Sequence, residues 1–172
     1  NDIGYFDSAM RLTPPLRQDR DRAALRQGLA DGTLDALVSD HMPVSKDEKN
    51  LPFAESLPGA TGLELLLSLA LRFGSDHGLP LTRTLALITS EPVRVLGNAL
   101  GSLAASAGRL VEGGVADICV YDPTVSWAVS DDQLASQGKH TPFAFSSTGV
   151  ELTGRVRHPL VAGTIAYSAP VQ

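Results

Sequence analysis

The feature that most constrains the fold is a helix followed at once by a short apolar run and a polar loop. Residues 18–31 place apolar side chains on one helical face, and Gly32 ends that helix. Residues 34–39 are apolar and free of helix breakers, which predicts a buried strand ending at Asp40 and His41. This order is typical of an α/β protein with parallel strands, whose carboxyl ends carry the chemistry.

The later sequence divides into a helical part and a part rich in short apolar runs. Helices are predicted over 63–73 and 81–88, with Thr82 as a possible N-cap, and over 93–96 after a Ser90-Glu91-Pro92 start. Beyond Gly108, apolar runs at 116–121, 150–156 and 160–167 alternate with turns, one of them predicted at Asp122-Pro123. We therefore predict two regions, residues 1–100 and a small β lobe at 101–172.

The composition excludes several classes of protein. Hydrophobic residues make up 43% and charged residues 19%, which is globular, and the net charge of -5 disfavours nucleic-acid or anionic-membrane partners. The single cysteine, Cys119, excludes an internal disulfide and a cysteine-based zinc cluster, and its apolar surroundings predict burial. No apolar stretch reaches the length of a membrane span, so we expect a cytoplasmic protein.

Asp40 is the first candidate for chemistry, because it follows a predicted buried strand. A carboxylate there could bind a metal or act as a general base, and the alternative is an aspartate that caps a turn or a helix. Neighbouring strand residues point to opposite faces, so a structural role is predicted for His41. The other histidines lack metal-ligand spacing, and we expect solvated or capping roles for His77, His140 and His158. The residues alone indicate one candidate metal carboxylate and no complete site.

Several sequence blocks together indicate a family. The first two are Arg11-Leu-Thr-Pro-Pro-Leu-Arg17 and the stretch from Gly28 to Pro43, which contains Asp40-His-Met-Pro. Further blocks follow in a fixed order at 46–49, 52–53, 59–64, 108–110, 116–123, 127–129, 141–143, 154–156 and 161–167. Over essentially the whole chain, this order resembles the type I dihydroorotases of the amidohydrolase superfamily.

The resemblance implies the C-terminal part of a (β/α)8 metal-dependent hydrolase barrel, followed by a small β-rich lobe. In the family, a His-x-His pair, a bridging lysine and two more histidines bind zinc, and they lie on earlier barrel strands. Of this constellation the chain would retain only the final aspartate, at Asp40. Since a catalytic zinc normally has three protein ligands, we do not expect this chain alone to bind zinc tightly.

Two positions that the resemblance places against the substrate are altered. Thr13 stands where the family has an asparagine before the two prolines, and Val44 stands where it has a histidine that holds the substrate carboxylate. Losing such a charge-assisted contact costs about 1.5–3 kcal/mol, roughly tenfold to over a hundredfold in binding. Arg11 replaces a common lysine, and His140 replaces a common asparagine.

The resemblance therefore implies two functions. The first is a non-catalytic dihydroorotase-like protein that serves as structural partner of aspartate transcarbamoylase. The alternative is an active zinc-dependent dihydroorotase that interconverts carbamoyl aspartate and dihydroorotate, with Asp40 as metal ligand and proton shuttle, once the N-terminal segment is present. A hydantoinase or allantoinase is a third possibility. We also expect association with that segment or with another copy, because exposed strand edges seek partners.

Overall fold

The computed structural model describes residues 5–144 and 149–169, and these form helices followed by a small sheet. The helices are α1 (Asp19–Asp31), α2 (Lys46–Lys49), α3 (Leu66–Asp76), α4 (Leu81–Ala86) and α5 (Ser90–Leu96). Short 3-10 helices lie at Ser8–Met10, Leu63–Leu65, Gly97–Ala105, Asp131–Gln133 and Pro142–Ala144. The strands are β1 (Ile118–Ala128), β2 (Glu151–Val161) and β3 (Thr164–Ile165). None of the described helices is both long enough and apolar enough to cross a membrane.

The helices form where local signals predict them. Two aspartates occupy the first turn of α1, where they complement the helix dipole. The helix predicted over 63–73 is a 3-10 turn that continues into α3, and α5 ends at Gly97 with a φ of 48°. The start of α4 differs from its prediction, because Pro80 rather than Thr82 occupies the N-cap position.

Two predicted strands are not strands. Residues 34–39 have no regular secondary structure, no strand pairs with them in the part of the chain that the structure describes, and Val38 is exposed. Their backbone hydrogen bonds run from Leu34 N to the Gly28 carbonyl (2.8 Å) and from Leu37 N to the Leu87 carbonyl (2.9 Å). An apolar segment becomes a strand only when a neighbouring backbone completes its ladder. The apolar-containing run at residues 9–12, stopped by Pro14-Pro15, also predicts a strand from sequence, but it begins within the Ser8–Met10 3-10 helix, whose Ala9 amide is capped by Asp7.

The sheet has the strand order β1-β2-β3. Strands β2 and β3 are antiparallel, with Leu160 opposite Ile165. Hydrogen bonds from Val129 to Val150 and from Gly163 to Ala116 bracket the β1–β2 pair and show that it is antiparallel too. The β-rich region predicted beyond Gly108 is therefore confirmed.

Two details of β1 differ from their predictions. Asp122 and Pro123 lie inside the strand instead of turning the chain, because an edge strand tolerates a proline that cannot donate to a ladder. Cys119 is exposed instead of buried, although Trp127 on the same side of β1 is buried. Apolar neighbours in sequence do not reveal which face of a strand is covered.

The chain divides into two compact units, each built from separated segments. The first comprises Asn1–Arg26, Ser39–Leu66 and Ala128–Leu152, and the second comprises Gln27–Val38, Leu67–Trp127 and Thr153–Gln172. The first unit buries Val44, Leu65, Val129, Leu134 and Leu152. The second has a core of Leu29, Phe73 and Leu87, against which Ala30, Leu37 and Leu79 pack. The boundary predicted near residues 101–108 stays a prediction.

Candidate functional site

Asp40 lies in the first unit with an unusual backbone conformation. Its φ is +43°, in the left-handed region that costs most residues energy but that aspartate visits more readily. The side chain is exposed, and among residues 5–144 and 149–169 none hydrogen-bonds or forms an ion pair with its carboxylate. Asp40 therefore presents an unpaired carboxylate from a backbone that its surroundings must hold in place.

His41 binds backbone amides through its ring. Its Nδ1 accepts hydrogen bonds from the amides of Gly62 (3.2 Å) and Leu63 (3.3 Å). An acceptor nitrogen carries no proton, so the neutral ring is protonated at Nε2. These two amides begin the Leu63–Leu65 turn and would otherwise lack partners within the helix. The structural role predicted for His41 is confirmed as capping of this turn.

The loop that carries these amides packs closely on the backbone around Asp40. Met42 N donates to the Ala60 carbonyl at 3.0 Å. A side chain on Gly62 would place its Cβ 2.7 Å from the Ser39 carbonyl oxygen, and one on Gly59 would come within 2.6 Å of the Met42 carbonyl oxygen. Glycines at these two positions let the 59–62 loop approach the backbone on both sides of Asp40.

The two altered positions have different environments. Val44 is only 4% exposed, and it packs near two glycines: a Cβ on Gly59 would lie 3.0 Å from Val44 Cγ2, and one on Gly138 would lie 2.8 Å from Val44 N. Thr13 is exposed and precedes a cis peptide bond to Pro14. Val44 is thus an interior packing residue, whereas Thr13 lies on the surface.

A buried lysine beside this region was missed from the sequence. Lys49 is 5% exposed, and its Nζ donates to the carbonyls of Arg11 (2.8 Å) and Ser8 (3.5 Å). Ser8 Oγ in turn donates to the Lys49 carbonyl. Burial lowers the pKa of the Lys49 ammonium, and the nearby charge of Arg11 lowers it further. Because Lys49 ends a charged stretch, its sequence context indicates a solvated side chain.

Arg11 and His140 bind backbone in the same region. Arg11 Nη1 donates to the carbonyls of Phe53 and Ser56, and the guanidinium lies 5.8 Å from the centre of the Phe53 ring. His140 Nε2 lies 2.9 Å from the Ala9 carbonyl oxygen, and burial followed by the Lys49 charge lowers the pKa of the imidazole despite that hydrogen bond. Of the solvated or capping roles predicted for His140, the solvated one is therefore wrong, because the ring is buried. Three basic side chains hold the 8–11 segment in the first unit.

The remaining histidines lie elsewhere. His77 Nδ1 lies 2.9 Å from the Phe73 carbonyl oxygen, and His158 contacts Ser168. Within the described residues there is no group of three or more His, Cys, Asp or Glu side chains that could hold a metal ion. His41 offers no metal ligand beside Asp40, because its Nδ1 accepts hydrogen bonds and its Nε2 carries the ring proton. This part of the described chain therefore provides one ligand, whereas a catalytic zinc has three protein ligands. The described residues by themselves do not fit a zinc site.

Comparison with known proteins gives a consistent set of relatives. No family model matches the chain. The dihydroorotase of Geobacter metallireducens is 38% identical over 162 residues, covering 94% of this chain and 36% of that protein. The dihydroorotase of Anaeromyxobacter dehalogenans is 36% identical over 162 residues, covering 94% of this chain and 35% of that protein. The chain thus spans about a third of the length of the curated relatives it matches.

Solved structures give the same picture of the fold. The L-hydantoinase (dihydropyrimidinase) of Arthrobacter aurescens superimposes with a TM-score of 0.80 and 27% identity, covering 97% of this chain and 36% of that one. The D-hydantoinase (dihydropyrimidinase) of a Thermus species gives a TM-score of 0.79 and 25% identity, covering 94% of this chain and 34% of that one. The architecture is that of a part of these amidohydrolase-superfamily chains.

Proposed function

Because this chain belongs to the dihydroorotase family, we propose that it is a non-catalytic dihydroorotase-like protein of pyrimidine synthesis and a structural partner of aspartate transcarbamoylase. Relatives named dihydroorotase match 94% or more of the chain at 36–38% identity. The segment corresponds to the C-terminal part of the (β/α)8 barrel and its small β lobe. The fold is retained, while the positions that would face the substrate have changed.

The environment of Val44 is the observation that carries this proposal. The resemblance expects a histidine there to hold the substrate carboxylate, but the position contains an apolar side chain that is 4% exposed. It is packed near Gly59 and Gly138, so an apolar side chain fills the place where the resemblance expects a hydrogen-bond donor. A site that must pair with a carboxylate loses much of its affinity when its donor becomes apolar.

Arg11 and Arg17 are the arginines that could offer a substitute donor, and both make other contacts. Arg11 directs Nη1 at two backbone carbonyls, which fixes it to the Phe53–Ser56 turn. Arg17 is largely exposed and pairs with Asp21 four residues later. Their contacts support the non-catalytic proposal.

Asp40 favours a second candidate, an active zinc-dependent dihydroorotase. Its exposed carboxylate is kept on a strained backbone, as expected of a group that still needs a fixed direction. The remaining ligands would have to come from outside the described residues, and Asp40 would then hold metal and move a proton. A related cyclic-amide hydrolase has weaker support, because the hydantoinase structures are less similar in sequence than the dihydroorotases.

Co-expression tests the partner role directly. The longest gene-encoded form carries an affinity tag and is produced with aspartate transcarbamoylase from the same genome. We expect the two proteins to co-elute in fixed stoichiometry through affinity and size-exclusion steps. Asp40→Ala is the matched variant, because removing the carboxylate should leave assembly unchanged. Separate elution of two folded proteins would contradict the partner role.

A further inference from the structure

Asp40 combines two features that need an explanation together. Its carboxylate has no partner within the described residues, so no side-chain hydrogen bond stabilises its left-handed backbone. A strained conformation of this kind persists only where the surrounding structure imposes it. The constraint must therefore come from the residues on either side.

The residues that follow Asp40 provide that constraint. The His41 ring reaches the amides of Gly62 and Leu63, and the next residue, Met42, pairs with Ala60 through its backbone amide. On the other side, the carbonyl of Ser39 lies against Gly62 so closely that no Cβ fits between them. The 59–63 loop thus holds residues 39, 41 and 42, and His41 provides the only side chain among these described hydrogen bonds.

We propose that His41 is a positioning residue for Asp40: by binding the Gly62 and Leu63 amides, its Nδ1 holds the Asp40 backbone in the conformation that directs the carboxylate to solvent. The same hydrogen bonds cap the Leu63–Leu65 turn, so one imidazole joins that turn to the carboxylate-bearing residue. This role does not depend on whether the chain is catalytic, because it concerns the direction of the carboxylate and not its reaction.

A purely structural cap makes a different thermodynamic prediction. If His41 only caps the turn, replacing it costs the same stability whatever residue occupies position 40. If His41 holds Asp40 against strain, breaking the bond lets Asp40 relax and recovers part of the cost. A glycine at this position has no strain to recover. Removal of the imidazole acceptor should therefore cost more in an Asp40→Gly variant than in the parent protein.

A double-mutant cycle on the longest gene-encoded form tests the proposal. His41→Gln and His41→Ala each remove the Nδ1 acceptor, and each is measured alone and combined with Asp40→Gly by urea unfolding. We expect either replacement to reduce the folding equilibrium constant about threefold to tenfold more in the Asp40→Gly background. His41→Asn is the matched control, because its Oδ1 takes the place of Nδ1 and should restore the parent behaviour in both backgrounds.

Additive effects, within about twofold, would overturn the proposal and leave His41 as a cap alone. A smaller cost in the Asp40→Gly background would overturn it as well. Because the readout is folding, neither result bears on assembly with aspartate transcarbamoylase or on turnover. Because both His41→Gln and His41→Ala are measured, the test remains decisive if one of the two variants does not fold.

Discussion

At the scale of single residues, the backbone at Asp40 is held by the His41 ring and by backbone contacts of its neighbours, not by the Asp40 side chain. The sequence predicts a chemical role for Asp40 because it follows an apolar segment. It predicts a structural role for His41 because neighbouring strand residues point to opposite faces. It does not predict the φ of +43°, which depends on a loop about twenty residues later. Likewise, the sequence shows that Val44 is apolar but not that Gly59 and Gly138 enclose it.

Replacing Asp40 by glycine should stabilise the protein. Glycine adopts a positive φ without strain, and we expect the free energy gained by removing that strain to exceed the entropic cost of ordering a more flexible residue. Asp40→Gly should therefore add about 0.5–1 kcal/mol to the free energy of unfolding. Ala162→Gly is the matched control, because Ala162 also has a positive φ, of 48°, at an exposed site. Chemical denaturation measures both, and an Asp40→Gly variant less stable than the parent would show that Asp40 is not strained.

Restoring a histidine at position 44 should destabilise the fold. An imidazole exceeds the volume of the 4% exposed Val44 and buries a polar ring, so Val44→His should cost about 1–3 kcal/mol. The control is Met42→His, two residues away at an exposed position, which should change stability by less than about 0.5 kcal/mol. Equal thermal midpoints for Val44→His and the parent would mean that the site accommodates histidine, contrary to the packing described above.

At the scale of elements, side chains from short helices and loops fix segments that are distant in sequence. Glu64 accepts hydrogen bonds from the amides of Ala135 (2.6 Å) and Ser136 (2.9 Å), and Lys49 and His140 bind the 8–11 segment. The helices were predictable because their signals are local, such as acidic first turns and terminal glycines. The contacts of Glu64, Lys49 and His140 and the irregular conformation of residues 34–39 were not predictable, because they depend on partners distant in sequence.

Glu64 should give the first unit an acid-sensitive contact. Partial burial raises the pKa of its carboxyl, but hydrogen bonds from Ser136 and Ala135 and the charge of Lys139 outweigh this effect and lower the pKa below 4.5. Stability from Glu64 is therefore fully present above pH 4.5 and is lost as the pH falls through the lower folded value. Glu64→Gln should cost about 1–2 kcal/mol at pH 7, because one amide loses its acceptor.

The cost of Glu64→Gln should shrink as the pH falls below 4.5 and through the lowered pKa of the folded state, because the parent carboxyl then becomes protonated as well. Urea unfolding of both proteins at pH 7 and pH 3 measures this difference. Glu55→Gln, at an exposed carboxylate in the same unit, is the control and should show little change at either pH. An effect of Glu64→Gln that is the same at both pH values would contradict the ionic role of Glu64.

At the scale of the whole molecule, the family was predictable because many short blocks occur in a fixed order across the chain. Relatives at 36–38% identity confirm it. The division into two units of interleaved segments was not predictable, because it depends on contacts between distant parts of the chain. The family resemblance extends along the chain, whereas the departures from it concern single positions such as Thr13 and Val44.

Exposed apolar side chains at one end of the sheet should promote association of the 172-residue chain. These side chains are Val115, Val120, Val161, Ile165 and Tyr167. The β2–β3 pairing and the hydrogen bond from Gly163 to Ala116 join the backbone segments that carry them. Light scattering at micromolar concentration should give a mass above 18.1 kDa. Val120→Lys should reduce association more than Thr124→Lys on the same strand, and a parent that is a clean monomer would contradict this prediction.

We propose that a dihydroorotase-family framework has been kept while its substrate site has been lost. The most direct test is to assay the longest gene-encoded form, folded and supplied with zinc, for interconversion of carbamoyl aspartate and dihydroorotate, beside its Asp40→Ala variant. We predict no turnover above background in either protein. Turnover by the parent that Asp40→Ala abolishes would contradict the claim and show that the site tolerates Thr13 and Val44.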